Sequence, residues 1–192
     1  MSESEIRPVA QSDGLQLAIR KNGPRGQGAL IAAPGSPKLI QGVQLESLAI
    51  HPDDRGYFEE VFRVGRGLAT AMASAKELQV SAALSYAGTI KALHYHLRQT
   101  DLWTPVIGLL QVVLYDLRVG SPTFGQTNTI YSGALRPLQI LIPPGVGHGY
   151  KVVGQDAALL VYATDRFYDP SDEGRIVWND PDINYDWDTQ KK

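Results

Sequence analysis

Leu93-His94-Tyr95-His96 places two histidines two residues apart, in a chain of 192 residues with four histidines in all. On a strand, alternate side chains share a face, so His94 and His96 are expected to point the same way. Asp101 lies five residues beyond His96, and His148 follows a Pro143-Pro144-Gly145 turn. Imidazoles titrate near neutral pH, so these groups could move protons; they are equally good ligands for a divalent metal. From Gly88 to Gly108 the chain reads G-x5-H-x-H-x4-D-x6-G, and His148 would complete a donor set suited to Fe, Ni, Mn, Zn or Cu. The residues alone leave both chemistries open.

Such groups need a scaffold of strands, and the chain supplies the segments. Residues 138–142 and 157–164 read as strands, and a Pro-Asp-Asp-Arg-Gly turn precedes another at 56–63. Residues 106–117 are almost continuously apolar, as a strand covered on both faces would be. One amphipathic helix is expected over 67–78, from the spacing of Leu68, Ala69, Met72, Ala75 and Leu78. Many short strands, 19 glycines and 12 prolines point to an all-β sandwich or barrel. Residues 1–38 read as an N-terminal arm with short strands at 15–19 and 29–32 and a mobile first dozen residues. Residues 39–192 then form one domain.

A hydrophobic content of 43% allows a sizeable core, and a net charge of −2 speaks against a nucleic-acid or membrane-surface partner. The absence of cysteine excludes disulfides and thiol catalysis. Met1-Ser2-Glu3-Ser4-Glu5 is acidic where a signal peptide is basic. The longest apolar stretch, 106–115, falls short of the roughly 20 residues of a membrane helix. A cytoplasmic domain is the expectation.

Five phrases, in order, resemble one family: Asp54-Arg55-Gly56-Tyr57-Phe58-Glu59-Glu60; Leu93-His94-Tyr95; Asp116-Leu117-Arg118 with Ser121-Pro122-Thr123-Phe124-Gly125; residues 142–150; and Trp178-Asn179-Asp180-Pro181. Together they look like the dTDP-4-dehydrorhamnose 3,5-epimerases of the cupin superfamily. The resemblance implies a double-stranded β-helix (jelly-roll) barrel with few short helices, forming a homodimer by exchange of N-terminal strands. It also implies a cofactor-independent isomerase of deoxysugar and polysaccharide biosynthesis. Such an enzyme inverts carbons beside the ketone of a nucleotide-diphosphate-linked 4-keto-6-deoxyhexose. By position, His94 matches the catalytic base and Tyr162 the acid. Arg55, Glu60, Gln79, Lys91, His96, His148, Tyr168 and Glu173 fall at substrate-binding positions, with Tyr168 where a ring stacks on thymine.

The chain also departs from the family. Lys91 stands for an arginine, His96 for a glutamine, and Asp101 for a lysine that meets the diphosphate. The aspartate that orients the family's histidine lies in a later segment than any present here. Asp101 or His96 is therefore expected to orient His94, with Lys91, Arg55 or Arg98 meeting the phosphates. Three alternatives stand beside the epimerase: a metal-binding cupin using His94, His96, Asp101 and His148, a sugar 3,4-ketoisomerase, and a sugar-nucleotide-binding cupin without catalysis.

Overall fold

Turn residues cut the chain into short β segments. The computed structural model describes residues 3–12 and 14–188. Its strands are β1 (Ile6–Ser12), β2 (Leu15–Arg20), β3 (Ala29–Leu30), β4 (Gln44–Ser47), β5 (Ile50–Asp53), β6 (Gly56–Glu59) and β7 (Gln79–Ser85). They continue with β8 (Ile90–His96), β9 (Asp101–Ile107), β10 (Leu109–Asp116), β11 (Thr127–Gly133) and β12 (Leu138–Ile142). The last three are β13 (Val146–Val152), β14 (Ala158–Thr164) and β15 (Glu173–Arg175).

Two sheets make a jelly-roll barrel. One runs β15-β8-β13-β10-β11-β3 and the other β4-β12-β9-β14-β7. Between them lies an apolar core that includes Ile31, Val112, Leu114, Ile130, Leu138 and Ile140, all buried. The all-β barrel expected from turn spacing, and the jelly roll that the resemblance implies, are the fold observed.

A second apolar layer covers the outer face of the six-stranded sheet. There Leu17 and Ile19 of β2 pack with Leu93, Tyr95, Val113, Tyr115 and the C-terminal Trp187. Arg7 of β1 ties this hairpin down by ion pairs to Asp180 and, at 2.9 Å, Asp182. Residues 6–12 thus form a paired strand rather than a mobile tail. Part of the arm contributes to the core.

Three other elements differ from expectation. Instead of a helix over 67–78, a 3-10 helix spans Gly67–Met72. Its buried residues, Ala69 and Met72, are three apart, a spacing that the tighter helix stacks on one side. The apolar run at 106–117 is broken at Gly108, whose φ of 72° turns the chain from β9 in one sheet to β10 in the other. The strand expected over 56–63 ends at Glu59 and pairs with β5 as a separate hairpin.

Candidate active site

The inner face of β8 carries the histidines, and its neighbours set their environment. In the β8–β13 ladder His94 pairs with His148, but two residues on, Tyr150 pairs with Lys91. The extra residue on β8 is a bulge, which changes which side chains face inward. It brings Lys91 onto the same cavity as His94 despite their odd spacing. Gly149 permits the close approach, because a Cβ there would lie 2.5 Å from the Lys91 carbonyl oxygen. On the other flank β15 places Glu173 across from His96 and Arg175 across from His94. From the opposite sheet, β14 places Tyr162 beside Trp103 of β9.

These strands enclose a cavity of about 500 Å³, within the usual range for small-ligand sites. His94, His96, Asp101 and Trp103 line it, and all but the half-buried His94 are buried. Tyr162 and Thr164 contribute a wall from β14. Gln79, Lys91, Tyr168, Glu173 and Arg175 also line it, and Tyr168 is largely exposed. The Gln79 side-chain carbonyl accepts a bond from the Tyr168 backbone N–H at 3.2 Å, which fixes the start of that loop.

Asp101 is the hub of the buried end. Its Oδ1 accepts a bond from Gln99 Nε2 at 2.7 Å, and its Oδ2 accepts one from the Trp103 indole N–H at 3.0 Å. His148 Nε2 stands 3.3 Å from the same Oδ2. Burial alone would push the Asp101 carboxyl up. Contact with His148, with charge from His96 and His94 adding to it, instead holds it well below the usual carboxylate range. His148 Nδ1 donates to the Val146 carbonyl at 2.8 Å, while its buried Nε2, which has no hydrogen-bond partner among the described residues, faces Asp101 Oδ2.

His94 sits over this hub. Its ring is 4.1 Å from that of His148, 5.4 Å from that of His96 and 6.0 Å from that of Trp103. Burial, then the neighbouring His148, pushes its imidazole well below the ordinary 6.5, while Asp101 pulls the other way. Burial and His148 lower His96 too. Near neutral pH His94 is therefore an uncharged ring able to accept a proton.

The ligand atoms of His94, His96, Asp101 and His148 lie within 4.8 Å of one another, so the donor types and their closeness suit a divalent metal. The Gln99 amide, however, already donates into this set, to His96 Nε2 at 3.1 Å and to Asp101 Oδ1 at 2.7 Å. His96 Nδ1 and His148 Nε2, by contrast, are buried without a hydrogen-bond partner among the described residues, so the set is engaged at Gln99 and open at these two ring nitrogens.

Other sequence-derived candidates lie apart from the cavity. Arg55 is exposed on the β5–β6 turn and pairs with Asp53, and Glu60 pairs with Arg63; neither lines the cavity of its own chain. Arg98 is engaged by Asp169 and Asp172. His148 stands behind His94 rather than on the cavity wall. Conversely, Gln99, Trp103 and Arg175 line the cavity without having been singled out as site residues. Strand parity could have found two of them: Trp103 is two residues from Asp101, and Arg175 two from Glu173.

The model of the dTDP-4-dehydrorhamnose 3,5-epimerase family matches residues 37–192. The chain belongs to that family. It is 44% identical over 154 residues to the spore coat polysaccharide biosynthesis protein SpsL of Bacillus subtilis, covering 79% of this chain and 99% of that one. The dTDP-4-dehydrorhamnose 3,5-epimerase of Pseudomonas aeruginosa is 36% identical over 153 residues, covering 79% of this chain and 84% of its own. Among solved structures, the Legionella pneumophila epimerase in complex with dTDP-4-keto-L-rhamnose superposes with a TM-score of 0.67 at 30% identity. That match covers 76% of this chain and 78% of the other. The family is one of isomerases. The family match begins where the N-terminal arm ends, so the hairpin over the outer sheet face lies outside it.

Proposed function

We propose that the protein inverts one or both carbons flanking the C4 ketone of a dTDP-linked 4-keto-6-deoxyhexose. The observation that carries this reading is the placement of His94 and Tyr162 on opposite sheets of one cavity in a member of an epimerase family. His94 removes the proton from the carbon next to the ketone. The C–H electrons pass into the carbonyl, whose oxygen becomes an enolate oxygen. Tyr162 then delivers its phenolic proton to the other face of that carbon as the C=O reforms, and solvent exchange resets both groups. A phenol is a fitting acid here because it keeps its proton at neutral pH.

Asp101 supports the base. As His94 gains its proton, the buried carboxylate beneath it offsets the new charge, in the role that a C-terminal aspartate fills in the resembling family. Gln79, Lys91, Tyr168 and Glu173 are the binding residues on the cavity lining, and His96 shapes its floor with His148 behind His94. A metal held by His94, His96, Asp101 and His148 would supply Lewis-acid polarisation, but it would take the lone pair of His94 that proton transfer needs.

The substrate is a nucleotide-diphosphate sugar, as in the Legionella complex, and the active form is a homodimer in the cytoplasm. Support for the dimer comes from Arg55 and Glu60, which stand away from their own cavity on a hairpin region with exposed Tyr57 and Phe58. In a pair of chains they would serve the neighbour's site. Among the described residues, no helix is long and apolar enough to cross a membrane.

Incubation with dTDP-4-keto-6-deoxyglucose tests the reading. Product with inverted C3 or C5 is expected by NMR, and unchanged sugar after prolonged incubation would refute it.

A further inference from the structure

We propose that Arg175 receives the diphosphate of the nucleotide-sugar substrate, an assignment that rests on the sugar-nucleotide reading above. The cation that meets this diphosphate in the resembling family corresponds to Asp101. Here that residue is a carboxylate only 2% exposed, which is hydrogen-bonded by Gln99 and Trp103 and turned toward the histidines. An anion held there would repel phosphate. A dianionic linker therefore needs a cation from somewhere else in the chain. Among the described residues, the cationic side chains lining the cavity are Lys91 and Arg175.

Arg175 has the better geometry. It pairs with His94 in register across the β8–β15 ladder, so its side chain leaves the sheet on the same face as the base. The side chain is 80% exposed, so its end reaches the open side of the cavity. His94, Arg175 and the exposed Tyr168 all line the one cavity. That lining offers a base for the reacting hexose, a cation for the diphosphate and an aromatic ring for the nucleoside.

The guanidinium is also oriented. Its Nε donates to Glu173 Oε1 at 2.9 Å, while Nη1 and Nη2 make no hydrogen bond among the described residues. Tethering by Nε leaves the two terminal amino groups as a free planar fork, the arrangement that matches phosphate oxygens bidentately. Glu173 thereby acts through Arg175. Lys91, an exposed point charge on the same lining, is the second cation.

Calorimetric titration of the full chain with dTDP tests the assignment. Arg175→Ala is expected to weaken dTDP binding roughly tenfold or more, with Arg175→Lys recovering part of the loss because it keeps charge but not the fork. Added salt should weaken the wild type more than Arg175→Ala. Because the side chain is exposed, both variants should melt with the wild type. Arg175→Ala binding dTDP within about twofold of wild type would overturn the assignment. Binding that depends on Arg175 without solvent exchange at the sugar would overturn the epimerase reading and leave this assignment standing. Solvent exchange with dTDP affinity indifferent to Arg175 would do the reverse. Wild-type protein that fails to bind dTDP overturns both.

Discussion

His94 on β8 and His148 on β13 face each other across one antiparallel ladder, with ring centroids 4.1 Å apart, and Asp101 Oδ2 lies 3.3 Å from the far nitrogen of His148. The ring that faces the cavity is thus backed by a second ring, and that by a buried carboxylate. Burial and this edge-on contact keep His94 neutral, yet leave an anion close enough to stabilise it once protonated.

The first consequence concerns pH. Burial and His148 lower His94 well below 6.5, so the base is in its active, unprotonated form throughout the neutral range. The acid limb of kcat/KM is expected clearly below pH 6.5, with activity falling as pH drops through the lowered value. Stability follows the same sign. Below about 6.5 the unfolded chain takes up protons that half-buried His94 and buried His96 resist, so the folded state loses stability as the medium becomes more acidic. A pH–rate profile and urea midpoints at pH 7.5 and 5.5 measure the two effects.

Asp101→Asn keeps the size of the hub but removes its charge. The imidazolium formed at His94 then has no buried counter-ion, and a fall in kcat of at least about tenfold is expected with little change in dTDP affinity. A variant with unchanged kcat would show that the carboxylate does not support the base.

Proton transfer by His94 needs its lone pair free. Protein stripped with EDTA and dialysed is therefore expected to keep full activity, and added Zn²⁺ to inhibit by capturing the imidazoles. Activity lost on stripping and restored by a divalent metal would favour metal chemistry at the same four side chains.

The N-terminal hairpin is expected to matter for stability. Leu17 is fully buried among Tyr95, Tyr115 and Trp187 in the apolar layer outside the active-site sheet. Leu17→Ala should cost about 2–5 kcal/mol, read from urea denaturation, through lost burial and the cavity left behind.

The fold was legible because turn chemistry is local. Pro143-Pro144-Gly145 ends β12, the Pro52–Gly56 turn shapes the β5–β6 hairpin, and alternation alone put His94 and His96 on one face. What could not be read is set by contacts far apart in the chain. The bulge that turns Lys91 inward depends on Gly149, a residue 58 positions away, lacking a side chain. Asp101 read as a metal ligand or as the group that orients His94, and its role as acceptor for Gln99 and Trp103 appears only once β9 lies beneath the histidines. The helix expected over 67–78 was an error of another kind. Its periodic apolar residues meet only a small cluster, and just two of them are buried. The mobility expected of the first dozen residues is overturned likewise for residues 6–12, because Arg7 finds its partners Asp180 and Asp182 at the other end of the sequence.

The most direct test of proton transfer between His94 and Tyr162 is deuterium wash-in from D₂O into dTDP-4-keto-6-deoxyglucose, followed at C3 and C5 by NMR. Wild-type protein is expected to incorporate deuterium with inversion, His94→Gln to slow incorporation by at least about 10²-fold, and Tyr162→Phe to lose inversion while retaining some exchange. His94→Gln incorporating deuterium at the wild-type rate would contradict the account.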